Sequence, residues 1–224
     1  MATKLYFHNV SNQLSGSFPT GEQGAGTANN TAVGADTMRT MTKTIGTSQV
    51  VLSFSDTTDN TRSFMGYFCS PPLRSAQTVG GGVMSLLAGS SESNLGANFW
   101  INSLNVYVWR PSTNTKVGTI RDNSNGNSLG GSEATIVNTV YPDYITGITS
   151  TAVSAQTGDV VICEIWNRIA TGATKNYTCS FAYDGAAETT NEATIVTDIA
   201  SFLLLTETLT FSTDTKTRSF GVII

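Results

Sequence analysis

A chain of 224 residues is long enough for one β domain of ordinary size, or for one such domain with an appended arm. Hydrophobic residues make 39% of it, so a core can be buried, but only 12% are charged, about half the usual ~25%. The net charge of −4 excludes strong electrostatic attraction to nucleic acid or to an acidic membrane surface, and no apolar run approaches the ~20 residues of a membrane helix.

Thr occurs 35 times and Ser 24 times, so the surface must be built of hydroxyls and amides more than of ion pairs. The chain lacks the mix of Lys, Glu, Leu and Ala that helix faces need, while Thr, Val, Ile and aromatics favour strands. The chain starts Met1-Ala2-Thr3-Lys4-Leu5-Tyr6-Phe7-His8, without the long apolar core or cleavage site of a secretion signal, so synthesis in a reducing cytoplasm is expected. The odd count of cysteines, Cys69, Cys163 and Cys179, agrees with that and predicts buried free thiols.

Residues 1–48 differ from the rest. Gly, Ser, Thr, Asn and Ala dominate, and large apolar side chains are sparse, so the stretch cannot bury enough surface to fold alone. A flexible tail and an extended arm that orders on a neighbouring subunit both fit, and the interspersed hydrophobics favour the arm. Its anchors would be Leu5, Tyr6, Phe7, Leu14 and Phe18.

From residue 49 onward strand patterns recur at short spacing, giving a domain over 49–224. Val50, Leu52 and Phe54 alternate with polar neighbours, and Ser63–Cys69 is stopped by Pro71-Pro72. Thr78–Ala88 reads as a strand bent at Gly80-Gly81-Gly82. Over Phe99–Arg110, Leu104, Val106 and Val108 share one face and Tyr107 and Trp109 the other. The turn Arg110–Asn114 leads into a returning strand at Lys116–Arg121, a hairpin. Asp122–Gly131 is a polar loop with an Asn125-Gly126 turn signal. Strands are expected at Ala134–Tyr141, Tyr144–Val153, Val160–Asn167, Tyr177–Tyr183, Phe202–Thr210 and Ser219–Ile224. The apolar end, including Val222, Ile223 and Ile224, is either a last core strand or a second intersubunit contact. Eight to ten short strands without an amphipathic helix predict an all-β, jelly-roll-like antiparallel sandwich.

Chemistry-bearing patterns are few. His8 is the one histidine, so a histidine-based triad would have to borrow it from the arm. The cysteines are too scattered for a zinc site. The three glycines lack the Lys-Ser/Thr of a phosphate loop, and aligning Gly126 to a calcium loop puts Arg121 at the first ligand position. No catalytic residues, metal ligands or cofactor are assigned, and no enzymatic activity is expected. The acid of most interest is Glu164, on a strand face with Val160, Ile162 and Trp166, which leaves a glycoside hydrolase as a distant rival. Trp100, Trp109, Tyr141 and Tyr144 could stack sugar rings if their face meets solvent, and would be packing if it does not.

The run Ser70-Pro71-Pro72-Leu73, then Glu92-Ser93-Asn94, Val106–Thr113, Gly158–Trp166 and Tyr183-Asp184-Gly185 resembles small structural proteins of tailed bacteriophages, over roughly residues 62–211. The resemblance implies a virion protein on the capsid surface: a decoration, or cement, protein, trimeric in many cases, whose partners are the major capsid protein and its own copies. The alternative it leaves is a tail or fibre module that binds host-surface carbohydrate, with Trp100 and Trp109 as the platform.

Overall fold

A computed structural model describes residues 2–11, 38–56, 62–122, 129, 136–169, 177–187 and 198–214. Among them are thirteen strands: β1 (Thr3–Ser11), β2 (Arg39–Thr42), β3 (Val50–Asp56), β4 (Arg62–Cys69), β5 (Gln77–Val79), β6 (Val83–Glu92), β7 (Phe99–Arg110), β8 (Thr115–Arg121), β9 (Tyr141–Thr149), β10 (Val153–Ala155), β11 (Val160–Ile169), β12 (Tyr177–Tyr183) and β13 (Phe202–Leu205). No α-helix occurs among the described residues, and the one helical turn is a 3-10 turn at Leu95–Ala97. The all-β expectation holds. The strand number exceeds eight to ten because β1 and β2 lie in the segment expected to be an arm, the strand expected over Thr78–Ala88 is divided into β5 and β6, and β10 is too short to leave an alternating pattern.

The main sheet runs β3-β12-β6-β13-β1-β2-β4-β11-β7-β8, with β9 also on β6, while β5 and β10 form a separate ribbon. All pairs in it are antiparallel except β2 with β4. The sheet cannot be flat. Phe68 on β4 packs on Phe181 and Tyr183 of β12 at ring separations of 6.5 and 5.3 Å. β9 takes one edge of β6 over Val83–Ser90, and β13 and β12 share the other, over Met84–Leu87 and Gly89–Glu92, so the sheet divides at β6 and places β12 and β4 on separate branches. The sheet therefore rolls over on itself into a sandwich, with the core between its halves.

That core includes Leu5 and Phe7 of β1, Met65 and Phe68 of β4, Leu86 of β6, Val106 and Val108 of β7, Val161 and Cys163 of β11 and Phe181 of β12. The period-2 readings of β7 and β11 hold: Leu104, Val106 and Val108 point in together, as do Val161, Cys163 and Ile165. Phe68 is fully buried and also stacks on Phe7 at 4.4 Å. Phe68→Ala should therefore cost about 3–5 kcal/mol, measurable as a fall in the urea midpoint at unchanged slope.

Several expectations are corrected. The N-terminal segment is not wholly an arm, because β1 lies in mid-sheet between β13 and β2. Leu5 and Phe7 are fully buried and Tyr6 packs edge-on to Phe202 at 5.8 Å, so all three are core residues of their own subunit. Leu14, Phe18, Val222, Ile223 and Ile224 lie outside the described residues, as does the strand expected at Ser219–Ile224. No strand runs through Ile136–Val140; the chain turns there, with Asn138 at φ 55° donating its N–H to the Glu92 carbonyl. The strand expected over Thr78–Ala88 is two strands in different sheets. Gly80 and Gly81 part them at φ 81° and 95°, a conformation that L side chains rarely adopt. A Cβ on Gly80 would also collide with the Thr151 carbonyl.

Candidate functional site

On the face of β7 and β11 opposite the main core, Tyr107, Trp109, Val160 and Ile162 form a second buried cluster with Met38 and Cys69. Trp109 is only 5% exposed. Trp100 is half-buried. The expected aromatic sugar platform is therefore corrected at Trp109, which is packing and presents no open ring. The alternation had placed Trp109 correctly opposite Val106 and Val108, but alternation does not say that a second face is covered too.

Glu164 stands in this second face, 1% exposed. Strand pairing sets Asn105 directly opposite it and Tyr107 diagonal to it, since Tyr107 opposes Ile162. Asn105 Nδ2 donates to one carboxylate oxygen at 3.2 Å and the Tyr107 hydroxyl to the other at 3.0 Å. Burial pushes the Glu164 carboxyl up to about 7, while the hydrogen bonds from Asn105 and Tyr107 and the charge of Lys116 pull the other way. Burial first, and then the neighbouring carboxylate, hold the Tyr107 phenol far above its ordinary range. This is an acid poised near neutrality, but it is sealed. A glycoside hydrolase needs its acid at the scissile oxygen, and no substrate reaches a carboxyl that is 1% exposed. Sequence reading singled out Glu164 and missed Asn105 and Tyr107, whose approach depends on the pairing of β7 with β11.

A second constellation holds a corner of the fold. Val160 opposes Trp109, so the end of β7 meets the start of β11. There the Arg110 guanidinium donates twice to Asp159, at 2.8 and 2.9 Å. Asp159 also accepts the Gln156 N–H, and burial is offset by these bonds so that its carboxyl stays below its ordinary value. Ser70 Oγ accepts the Val161 N–H, Ser70 donates its own N–H to the Val161 carbonyl, and Leu73 donates to the Asp159 carbonyl. The three cysteines are buried thiols outside any disulfide, and burial raises the thiols of Cys69 and Cys163.

The third joins β1, β2 and the end of β12. His8 Nδ1 lies 3.1 Å from Asp184 Oδ1, and His8 Nε2 lies 2.9 Å from Thr42 Oγ1. Asp184 Oδ2 accepts the Asn9 N–H at 2.9 Å. With Asp184 as acceptor, His8 donates from Nδ1, and its Nε2 shares a hydrogen bond with the Thr42 hydroxyl. The order of atoms is that of an acid–base relay. Thr42 Oγ1 also accepts the Thr44 N–H and reaches the Thr44 carbonyl, so it is equally the knot of a local turn. Finally, an open concavity of about 340 Å³ is lined by Thr119, Ile120, Arg121, Asp122, Thr149, Ser150 and Thr151. Arg121 Nη1 spends a bond there on Thr149 Oγ1 at 3.1 Å. Among the described residues no three His, Cys, Asp or Glu side chains gather as a metal site.

No protein-family model matches the chain, and no curated protein matches it. A 1.95 Å crystal structure of a CocE/NonD family hydrolase from Staphylococcus aureus aligns with 92% of this chain at 9% identity and a TM-score of 0.49. A second structure of that hydrolase aligns with 92% at 8% identity and a TM-score of 0.38. In both, the aligned part is 36% of the solved chain, so this chain spans about a third of their length. Because these neighbours are hydrolases, the sequence-based exclusion of enzymatic activity is withdrawn. At such TM-scores no activity is carried over in its place.

Proposed function

We propose that the chain is a structural protein of a phage-type virion, a decoration subunit that binds the assembled capsid. A subunit with affinity for the assembled lattice and none for its free components stabilises the lattice by its binding free energy, and many copies add avidity. The partner on this reading is the major capsid protein.

The observation that carries the proposal is where the residues of the phage resemblance fall. Ser70 and Leu73, Arg110, and Asp159 and Val161 come from three separate motifs, and they meet in the one hydrogen-bonded corner. Glu92 of a fourth motif accepts the Phe99 N–H from within the sandwich at 3.1 Å. Asp184 of the fifth ties β1 to the end of β12. These motifs define how a sandwich is held together, which is what related shell proteins would share. None of them lines the open concavity.

The test is the position of the protein on intact virions, read with a gold-labelled antibody against the full chain in the electron microscope. Label scattered over the head is the expected result. Label confined to the tail tip, or absent from the particle, overturns the proposal.

A further inference from the structure

The two ends of the long sheet are built differently. At one end β8 carries Lys116 and Arg121, contains Gly118, and breaks register twice against β7. Charge and bulges of this kind are how a sheet edge is kept from pairing further. At the other end β3 reads Val-Val-Leu-Ser-Phe-Ser-Asp. It holds seven consecutive pairs with β12, from Val50 opposite Tyr183 to Asp56 opposite Tyr177, without a shift. It has no Lys, Arg, Pro or Gly, and its one charge is at its last residue. Val51 is 45% exposed, Ser53 is exposed, and Val50 and Leu52 are only partly covered although they pack on the core. Among the described residues no strand pairs with its outer side. A regular, largely apolar edge whose one charge lies at its end, and whose outer side no described strand takes, is a template for another strand.

We propose that β3 pairs antiparallel with β3 of a second copy of this chain, about a twofold axis through Ser53. That register alone uses all seven residues of both strands. It sets Val50 opposite Asp56, Val51 opposite Ser55, Leu52 opposite Phe54, and Ser53 opposite itself. Each pair joins residues of the same parity, so the inner and outer faces of the two sheets continue into one another. No like charges meet. The added strand covers Val50 and Leu52 at the sheet end, and a self-complementary patch is what a twofold interface requires. The inference concerns the free chain and stands apart from the virion reading, which addresses the lattice it binds.

Sedimentation velocity of the full chain across a concentration series should show a dimer that dissociates on dilution. In S53K two ammonium groups face each other across the axis, and in S53E two carboxylates do. Each variant alone should weaken the dimer roughly tenfold or more, and an equimolar mixture should regain it as a heterodimer. Far-UV circular dichroism checks that both are folded. If the Ser53 variants fail to fold, V51K on the exposed side chain takes their place: loss of the dimer supports the pairing and its persistence overturns it. A wild-type chain that is monomeric throughout, an oligomer indifferent to S53K, or a mixture that stays monomeric each overturns the proposal.

Discussion

A chain lacking residues 1–48 should not fold. This is the deletion that an N-terminal arm would tolerate, and it separates the two readings of that segment sharply. β1 is the hydrogen-bonded link between β13 and β2, and β2 is the link to β4. Without them the sheet path falls into β3-β12-β6-β13 on one side and β4-β11-β7-β8 on the other. Leu5, Phe7 and Met41 leave the core with them, each fully buried. Losing a side chain of that kind costs about 2–5 kcal/mol, and a domain's whole stability is about 5–15 kcal/mol. Three such losses together, with the backbone pairing, exceed what the fold can absorb. Residues 49–224 expressed alone should show no cooperative thermal transition and no dispersed amide spectrum. A folded, cooperative 49–224 fragment would overturn the central place of β1.

The error about the arm shows what sequence could and could not reveal. Thr3–Ser11 has an apolar centre in Leu5-Tyr6-Phe7, but a long Gly, Ser and Asn stretch follows, and averaged over 48 residues the composition reads as arm. What makes it a strand is its partner β13, whose residues stand about 200 positions later: Thr3 pairs with Leu205 and Tyr6 with Phe202. A local pattern carries no trace of such a pairing. Where the partner is adjacent, as in the β7–β8 hairpin, the reading succeeded. Its turn rests on residues that sequence names, Pro111 and Asn114, the latter at φ 56°. Apolar Ile136, Val137 and Val140 misled in the opposite sense, since a run of β-formers bends where Asn138 adopts a left-handed conformation.

The candidate sites divide in the same way. Glu164 stood out because an acid among Val160, Ile162 and Trp166 is anomalous wherever its face points. That the face is buried, and that Asn105 and Tyr107 supply its hydrogen bonds, follows from the pairing of β11 with β7. The Arg110–Asp159 pair was hidden for the same reason, although both residues flank strands whose ends were read correctly. His8 was set aside as part of an arm, and the misreading of β1 therefore also concealed its contacts with Thr42 and Asp184.

Glu164→Gln should make the protein more stable at alkaline pH and change little in acid. The carboxyl has an ordinary value of 4.5 and is raised to about 7 in the fold, chiefly by burial. A carboxyl raised on folding binds its proton more tightly in the native state than in the unfolded chain. The stability this provides is fully present below about pH 4.5 and is lost as pH rises through 7. At ~1.4 kcal/mol per pH unit, the wild-type protein should lose about 3 kcal/mol across that window from this residue alone. Glutamine removes the titration and keeps an oxygen to accept the Tyr107 hydroxyl. Its amide nitrogen meets the Asn105 amide, which must turn to offer its own oxygen, so the gain at pH 8 should be smaller, about 1–3 kcal/mol. Urea unfolding of both proteins at pH 5 and pH 8 reads the effect directly. The wild-type midpoint should fall between the two pH values by more than that of the variant. Parallel profiles would mean that Glu164 is hydrated in solution, and that the second face of β7 and β11 is open where the structure shows it closed.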